Sequence, residues 1–307
     1  MGVLTRKIVA VVVSYNPDVR YLQRVLQRLV SQVDKVVVVD NGSQEYVASW
    51  IKTIAIPDIA CIPLGSNRGV GAALNVGIGQ ARQIGAEFAL LMDQDSLPRE
   101  TMVADLLMGY EDLTTEGRRV ASIGPRLIDS NSGRISSHVQ FGRWHVGRVP
   151  CTEGCRPVPV DFLITSGSLI PMNTLDSVGC MDEALFIDHV DTEWVLRARA
   201  RGFESFGDCK ALMEHSLGEC RERIWFLRWR EVAVYKPFRY YYMFRNSVLL
   251  YRRPYMTSPW KRIDMVRLVQ LAIFILIFGP QRFAKMRMMW RGLRDGAYGK
   301  AGPLTLK

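Results

Sequence analysis

Two aspartates directly after an apolar run are the residues best suited to chemistry in this sequence. The run 88–92 reads as a buried strand and is followed by Asp93, Gln94 and Asp95. In an extended backbone, side chains two residues apart point the same way, so the two carboxylates can converge on one ligand. Their natural partner is a hard divalent cation, Mg²⁺ or Mn²⁺, that carries phosphate oxygens. A polar turn is the plainer alternative, because Asp is common in turns.

Polar residues also close the first two predicted strands. Ser14 and Asn16 stand at the end of the β-branched run 7–14, and Asp40 closes the second strand. The carboxyl ends of parallel strands meet at one edge of an open α/β sheet, where ligands bind. We therefore expect these residues and Asp93 to lie where one nucleotide can span them.

The elements that must position these side chains alternate between strand and helix. Buried strands are predicted at 7–14, 36–39, 59–63 and 88–92, with helical spacing of apolar residues between them. This alternation indicates an α/β fold with a mostly parallel, doubly wound sheet. A further helix is expected just after the two aspartates, with Ser96 as its cap, Pro98 in its first turn and Glu100 as its acidic residue.

Known nucleotide-binding fingerprints are absent from the sequence. No glycine follows the first strand as a dinucleotide-binding G-x-G-x-x-G requires, and the segment 69–74 fails that pattern at its third glycine. No P-loop motif occurs either. The pattern therefore predicts a mononucleotide site of another kind. A sugar nucleotidyltransferase is disfavoured, since a glycine- and lysine-rich loop after the first strand is missing.

The second half of the chain is less regular. Shorter strands are predicted at 122–128, 135–141 and 158–170, and the small residues 165–168 allow a ligand to approach the backbone. Asp191 follows near the start of another predicted helix. It is a candidate site residue, and the alternative is that it only caps the N-terminus of that helix. Glu193 and Arg197 are spaced as an ion pair on a helix surface.

The last third of the chain carries the basic excess. The 307 residues have a net charge of +10, and residues 221–307 contain 19 Lys and Arg against 4 Asp and Glu. A basic, aromatic segment suggests an anionic surface, either lipid or nucleic acid. The apolar run 271–278 is far shorter than the ~20 residues that span a bilayer. We expect it to lie in the membrane interface, with a buried core helix as the alternative.

The six cysteines show no zinc-finger spacing beyond the neighbouring Cys151 and Cys155. We interpret them as mostly buried free thiols in a reducing cytosol.

Six segments together resemble the inverting, nucleotide-sugar-dependent glycosyltransferases of family 2, which have the GT-A fold. Within that family, the sequence is most similar to bacterial rhamnosyltransferases of O-antigen and lipopolysaccharide assembly. The segments run in family order within residues 7–250: Val13–Asn16, Val37–Ser43, Asn67–Asn75, Asp93–Asp95, Thr165–Ser168 and Ile187–Trp194. The resemblance implies a glycosyltransferase domain over 1–220, with a nucleotide-sugar half (1–120) and an acceptor half (121–220). Residues 221–307 would form a helical, membrane-proximal extension.

The resemblance also implies roles for individual residues. Asp191 falls where the family places its catalytic base; the usual acidic neighbour is replaced by Val190, and Asp188 is a candidate substitute. His215 matches a metal- or phosphate-side histidine, with a satisfied loop histidine as the alternative. The implied assignments are nucleotide-sugar binding by Ser14, Asn16, Asp40, Asn67, Arg68, Asn75 and Asp93, metal binding by Asp95, Asp93 and His215, and acceptor contacts by Ser166, Gly167, Trp194 and Arg245.

The implied function is transfer of a sugar to a lipid-linked saccharide at the cytoplasmic face of the bacterial inner membrane, with dTDP-L-rhamnose as the favoured donor and Mg²⁺ or Mn²⁺ as cofactor. UDP- and GDP-sugars are alternatives. A nucleic-acid-binding α/β protein is the competing class, and the acidic balance of residues 1–220 argues against it.

Overall fold

The main sheet contains the four parallel strands that the sequence predicts. The computed structural model describes residues 6–45, 47–130, 132–151, 156–215, 221–226 and 228–305. The strands are β1 (Ile8–Ser14), β2 (Lys35–Asp40), β3 (Ile59–Pro63), β4 (Phe88–Asp93), β5 (Ser96–Pro98), β6 (Val120–Asp129), β7 (His138–Phe141), β8 (Val146–Val149), β9 (Val158–Val160), β10 (Ser168–Pro171), β11 (Glu204–His215), β12 (Arg221–Phe226) and β13 (Arg228–Ala233). The main sheet has the order β3-β2-β1-β4-β10-β6-β11-β5, with β9 beside β11.

Strand direction in this sheet is mixed but mostly parallel. Strands β3, β2, β1 and β4 pair in parallel, as do β6 and β11, whereas β10, β5 and β9 run antiparallel to their neighbours. The hairpins β7–β8 and β12–β13 form separate two-stranded sheets. The predicted strand 158–170 is in fact two strands, β9 and β10, separated by a loop.

Helices cover both faces of the sheet, as the doubly wound prediction requires. They are α1 (Val19–Val30), α2 (Val47–Thr53), α3 (Val70–Gln83), α4 (Met102–Thr115), α5 (Met172–Val178), α6 (Val190–Ala200), α7 (Pro237–Tyr251), α8 (Ser258–Phe278) and α9 (Arg282–Ala297). Because side chains alternate along β1, Val9 and Val11 pack towards α3 and α6, whereas Ala10 and Val12 pack towards α1 and α4.

The C-terminal helices α7, α8 and α9 share a small core of their own, which includes Tyr240, Leu268 and Ile275. Along the rest of α8, the apolar side chains are largely exposed: Met265, Val266, Val269, Ile273, Leu276 and Ile277 are each about half exposed. The alternative of a buried core helix is therefore wrong for this segment. Among the described residues, no helix is both long and apolar enough to cross a membrane.

Two local predictions are wrong. Ser96 and Pro98 lie in β5, which pairs with β11, and the following helix begins only at Met102 with Thr101 at its cap position. Glu193 and Arg197 do form an ion pair, at 2.8 Å, but Glu193 is fully buried, so the pair lies inside the protein. Long-range pairing, which the local sequence does not contain, decides both cases.

The cysteine interpretation also needs correction. Cys151 and Cys209 form a disulfide between the segment after β8 and strand β11, and the free Cys61 and Cys180 are only half-buried. The disulfide joins residues 58 positions apart in the chain, so spacing carried no signal for it. Cys155 and Cys220 lie outside the described residues.

Candidate active site

The two predicted metal-binding aspartates and the histidine come together at one edge of the sheet. One ligand atom each of Asp93, Asp95 and His215 lies within 4.8 Å of the others. Asp93 ends β4, Asp95 lies in the turn before β5, and His215 ends β11. Pairing of β5 with β11 places Ser96 opposite His215, which brings the histidine to the two aspartates. Two carboxylates and an imidazole fit the coordination of Mn²⁺ or Mg²⁺.

Three neighbouring polar side chains hold this cluster in place. Ser96 Oγ lies 2.8 Å from His215 Nδ1, which leaves Nε2 as the nitrogen available to a ligand. The Asp93 backbone N–H donates to Ser166 Oγ at 3.0 Å. Gln94, between the two aspartates, accepts from the Tyr15 N–H and donates to its carbonyl, tying the end of β4 to the end of β1.

The electrostatics of the cluster favour a cation. Burial raises the pKa of Asp93 to about 7, with a further rise from the Asp95 charge and a smaller opposing effect of Arg239. Burial lowers the pKa of His215, with Asp95 opposing. A neutral imidazole and two neighbouring carboxylates can all ligate a divalent ion, and the ion would offset the repulsion between the two carboxylates.

Asp191 lies in the first turn of α6 and lines the same cleft as Asp93. It is not the helix cap, because His189 occupies that position in a left-handed conformation. Its Oδ1 accepts from the Thr192 N–H at 2.7 Å. Burial raises the pKa of Asp191 to about 6; the Thr192 bond opposes this rise and the Asp188 charge adds to it. A carboxylate with such a pKa can accept a proton near neutral pH.

The loop that leads into α6 is strained. Phe186, Asp188 and His189 all have positive φ, at 65°, 63° and 65°. Non-glycine residues in this region are uncommon, and they cluster where the surrounding structure holds a functional geometry. On one side the loop packs on the start of α3, where a side chain at Gly69 would overlap the Phe186 carbonyl.

Helix α7 holds this loop on the other side through Asn246 and Arg245. The buried Asn246 Nδ2 donates to the carbonyls of Leu185, Ile187 and Asp188 at 3.0, 2.8 and 2.9 Å. Arg245 donates to Leu185 O at 2.9 Å and to Asn246 Oδ1 at 2.8 Å. Arg245 is fully buried among these partners, so its predicted place on the acceptor side is wrong.

Asp188 is held by an ion pair. Arg239, on α7, donates to its carboxylate at 2.8 Å. The second candidate carboxylate is therefore engaged within the protein, while its charge still acts on Asp191.

The predicted nucleotide side forms a linked set of loops after β1, β2 and β3. Asp40 ends β2 and accepts from the Ser43 N–H at 3.2 Å. The Asn16 N–H donates to Ser43 Oγ, which joins the loops after β1 and β2. Ser14 is fully buried, and among the described residues its Oγ has no hydrogen-bond partner.

Asn41 links the next pair of loops. Its Oδ1 accepts from the Arg68 N–H at 2.9 Å, and its Nδ2 donates to Asn67 Oδ1 at 3.3 Å. The side chains of Asn67 and Arg68 are otherwise exposed at the sheet edge. A side chain at Gly42 would overlap the backbone of Ser66, which explains the glycine there.

A cleft of about 600 Å³ extends from the carboxylates to side chains of the second half of the chain. Its polar end is lined by Asp93, Asp188, Asp191, His215 and Arg239. Its apolar walls come from the β7–β8 hairpin, the segment before β10 and the first turns of α8, through residues Val139, Phe141, Val146, Phe162, Ile164, Trp260 and Ile263. Asp264 and Arg267 of α8 also line it, and Arg267 Nη2 lies 3.2 Å from His189 Nε2.

Four other predicted site residues are engaged inside the protein. Ser166 and Gly167 are buried, and Gly167 packs against Pro125. Trp194 is 2% exposed and donates to Gly179 O at 2.8 Å, as a core residue does. The acceptor-side role predicted for these three residues is therefore corrected. The Asn75 amide, predicted to bind the donor, instead bonds to Met181 and Glu183.

Sequence reasoning missed Gln94, Asn41, Asn246 and Arg239. Gln94 and Asn41 stand inside recognised motifs, so the spacing of polar residues there could have identified them. Asn246 and Arg239 lie in a basic, aromatic stretch that was predicted to face a membrane, so the sequence did not indicate that they hold the loop before α6.

The fold is that of a GT-A glycosyltransferase: a mostly parallel sheet carries carboxylates and linked loops at its edge, and the second half of the chain adds a cleft. Comparison with known proteins agrees. The model of glycosyl transferase family 2 matches residues 9–157. The chain is 32% identical over 253 residues to the dTDP-rhamnosyl transferase RfbF of Shigella flexneri, covering 81% of each protein. It is 24% identical to the low-salt glycan biosynthesis hexosyltransferase Agl10 of Haloferax volcanii, covering 80% of this chain and 75% of that relative. The protein belongs to glycosyl transferase family 2.

Solved structures agree on the fold. The structure of S. aureus TarS 1-349 with UDP-GlcNAc superposes with a TM-score of 0.60 at 16% identity, over 96% of this chain and 81% of that one. GalNAc-T7 with UDP, GalNAc and Mn²⁺ gives 0.59 at 14% identity, over 90% of this chain and 58% of that one.

Proposed function

We propose that the protein transfers L-rhamnose from dTDP-L-rhamnose to a lipid-linked saccharide in cell-surface polysaccharide or lipopolysaccharide synthesis. The observation that carries the donor assignment is the identity of 32% with RfbF, a dTDP-rhamnosyl transferase, over 81% of both chains. UDP- and GDP-sugars remain the alternatives within the same reaction class.

Asp93, Asp95 and His215 would hold the divalent cation, Mg²⁺ or Mn²⁺. Their donor atoms lie within 4.8 Å of one another, and the pKa of Asp93 is raised by burial and further by the Asp95 charge, which a bound cation would offset. When bound, the ion would neutralise the diphosphate and so favour its departure. Asp40, Asn16, Asn67 and Arg68 would bind the nucleotide along the sheet edge.

Asp191 is the proposed catalytic base. It lines the cleft between the Asp93 end and the apolar walls, where an acceptor hydroxyl can face a donor sugar. Its carboxylate would take the hydroxyl proton as the oxygen attacks C1 from the side opposite the leaving group. One displacement inverts the anomeric centre, so no carboxylate nucleophile is required. Asp188, paired with Arg239, would orient the loop and raise the pKa of Asp191 through its charge.

An anionic membrane surface is the proposed location of the acceptor. The apolar stripe of α8, defined by Met265, Val266, Val269, Ile273, Leu276 and Ile277, is continued on α9 by the exposed Phe283 and Trp290. Arg282, Arg287 and Arg294 are exposed beside it. Apolar side chains bordered by arginines suit a helix that lies in the headgroup region. The first turns of α8 also line the cleft, so the same helix would contact both the membrane and the acceptor site.

Calorimetry with dTDP, UDP and GDP, each with and without Mn²⁺, tests the donor assignment. We expect metal-dependent binding of dTDP alone. Metal-dependent binding of UDP or GDP would keep the reaction class and replace the sugar. If no nucleotide binds, the carboxylates form a turn and the proposed site is wrong.

Vesicle flotation tests the membrane assignment. We expect binding to vesicles containing anionic lipid and loss of binding in Ile277→Glu, with Met108→Glu on the exposed face of α4 as the matched control. Equal flotation of both variants would contradict the assignment. Retention on DNA at physiological salt, without vesicle binding, would favour the nucleic-acid alternative.

A further inference from the structure

Outside the catalytic cleft, a histidine and two cysteines form a second cluster of metal-ligating residues. One ligand atom each of His138, Cys151 and Cys209 lies within 4.8 Å of the others. His138 begins β7, Cys151 follows β8, and Cys209 lies in β11. The cluster therefore connects the small β7–β8 hairpin to the main sheet. His138 and Cys209 are buried, and Cys151 is half-buried.

A backbone carbonyl fixes the protonation of the His138 ring. Its Nε2 lies 3.0 Å from the Asp208 carbonyl, a pure acceptor, so Nε2 carries the proton and Nδ1 presents its lone pair. A histidine that binds metal usually donates its other ring N–H to such a carbonyl, which fixes the tautomer. Burial lowers the pKa of His138, and this favours the neutral, ligating form.

Glycine makes room for this arrangement. The imidazole ring lies against Gly207, where a Cβ would come within 2.3 Å of its Cγ and Nδ1. The ring is therefore held against the backbone of β11, two residues before Cys209.

We propose that His138, Cys151 and Cys209 form a Zn²⁺ site when the Cys151–Cys209 disulfide is reduced. Zinc takes thiolate sulfur at about 2.3 Å and imidazole nitrogen at about 2.0 Å in a tetrahedron, which separates the ligand atoms by roughly 3.3–3.8 Å. The observed spacing allows this once the sulfur–sulfur bond opens. Water would complete the tetrahedron.

Reduction of the Cys151–Cys209 disulfide requires a reductant, which a small thiol can supply. Two small thiols supply two electrons and two protons, become a small disulfide, and leave Cys151 and Cys209 as thiols. Zn²⁺ then replaces the two thiol protons, which are released to solvent. A reducing compartment favours the metal form and an oxidising one the disulfide.

Either cross-link would hold one wall of the proposed acceptor cleft. Val139, Phe141 and Val146 of the β7–β8 hairpin line that cleft. The hairpin is also hydrogen-bonded to β9 and the residue after it: Asp161 N–H donates to Val139 O at 3.0 Å, Phe141 N–H to Asp161 Oδ2 at 2.7 Å, and Gln140 Nε2 to Pro159 O at 2.6 Å. The zinc site would add a further link that holds this wall when the disulfide is reduced.

Zinc binding by the full-length protein in a small-thiol buffer tests the proposal. The measurements are zinc affinity by competition with a chromophoric chelator and, with Co²⁺ in place of Zn²⁺, the thiolate-to-metal charge-transfer absorption. We expect one equivalent of thiolate-ligated metal per chain, with a tetrahedral cobalt spectrum, in addition to any metal that binds at Asp93, Asp95 and His215. His138→Gln should lower zinc affinity by about 100-fold or more, since loss of an outer hydrogen-bond partner alone costs 10–100-fold.

His138→Gln also separates ligation from folding. Under oxidising conditions it should still form the Cys151–Cys209 disulfide, which peptide mass mapping detects. Cys61→Ser is the matched thiol control, because burial raises the pKa of Cys61 to about 11 and the cluster does not include it. The proposal is overturned if the reduced protein shows no thiolate-to-metal absorption, or if His138→Gln, with its disulfide intact on oxidation, shows that absorption with the same metal affinity as the wild type.

Discussion

The side-chain amide of Asn246 is expected to maintain the geometry of the loop before α6, and Asn246→Ala tests this. Its Nδ2 donates to the carbonyls of Leu185, Ile187 and Asp188. Leu185 O keeps the bond from Arg245, so the carbonyls of Ile187 and Asp188 are affected most. Leaving a fully buried acceptor unpaired costs about 1–3 kcal/mol; because these two carbonyls are partly buried, we expect the lower end, roughly 2–3 kcal/mol for the pair.

That cost is comparable to the strain which the loop contains. Three non-glycine residues with positive φ cost about 1 kcal/mol or more each, hence about 3 kcal/mol together. Without the Asn246 bonds, relaxation of Asp188 and His189 becomes favourable. Asp191 follows within three residues and should move with them. A displacement of about 1 Å at a catalytic group can lower the rate by ~10²-fold, which is the loss in kcat that we expect.

The assay combines kcat with the dTDP-sugar dissociation constant and Tm. Donor affinity should stay near the wild-type value, because Asp40 and Asp93 do not contact Asn246. Thr174→Ala on α5 is the matched control, because it removes a buried hydrogen bond of 3.1 Å from Thr174 Oγ1 to Val120 O of β6. It should lower Tm and leave kcat unchanged. If Asn246→Ala lowers Tm but keeps the wild-type kcat, the loop does not depend on this amide and the reasoning is refuted.

Three further predictions concern the proposed site. Asp191→Asn should lower kcat by ~10²–10⁴-fold with donor binding retained, as removal of a general base does; loss of donor affinity instead would indicate a structural role. Since burial raises the pKa of Asp191 to about 6, kcat should fall about tenfold per pH unit below pH 6, where the base becomes protonated, and Asp191→Asn should lack this limb. Asp95→Ala should abolish Mn²⁺ binding in calorimetry and EDTA-sensitive turnover while Tm stays near wild type; normal activity would contradict the metal assignment.

The sheet could be predicted from the sequence because its information is local. Each central strand is a run of β-branched or apolar residues, and both faces of β1 are buried, so the run needs no polar alternation. The polar residues that close β1, β2 and β4 reach one edge by topology alone. Asp93 and Asp95 could be chosen for the same reason, since their spacing and the end of β4 are visible in a few residues.

The rest of the site depends on contacts between distant residues. Asn246 reaches carbonyls 58 to 61 positions earlier in the chain. Its neighbours are aromatic and basic, which indicated a surface role, although this face of α7 is buried. Trp194 was misplaced for a different reason: the family resemblance implied an acceptor contact, whereas helical spacing turns its side chain into the core. Local pattern thus identifies which residues end a strand, but not which side of a helix faces the substrate.

The C-terminal helices contribute residues that hold the loop before Asp191. The family model ends at residue 157, yet α7 supplies Asn246 to the loop before Asp191 and Arg239 to Asp188. The same helix packs in one core with α8 and α9, the helices that expose the apolar stripe. Under the proposed function, a membrane that binds α8 would hold the rigid unit that also fixes the catalytic loop. The base would then be oriented relative to the surface from which a lipid-linked acceptor arrives.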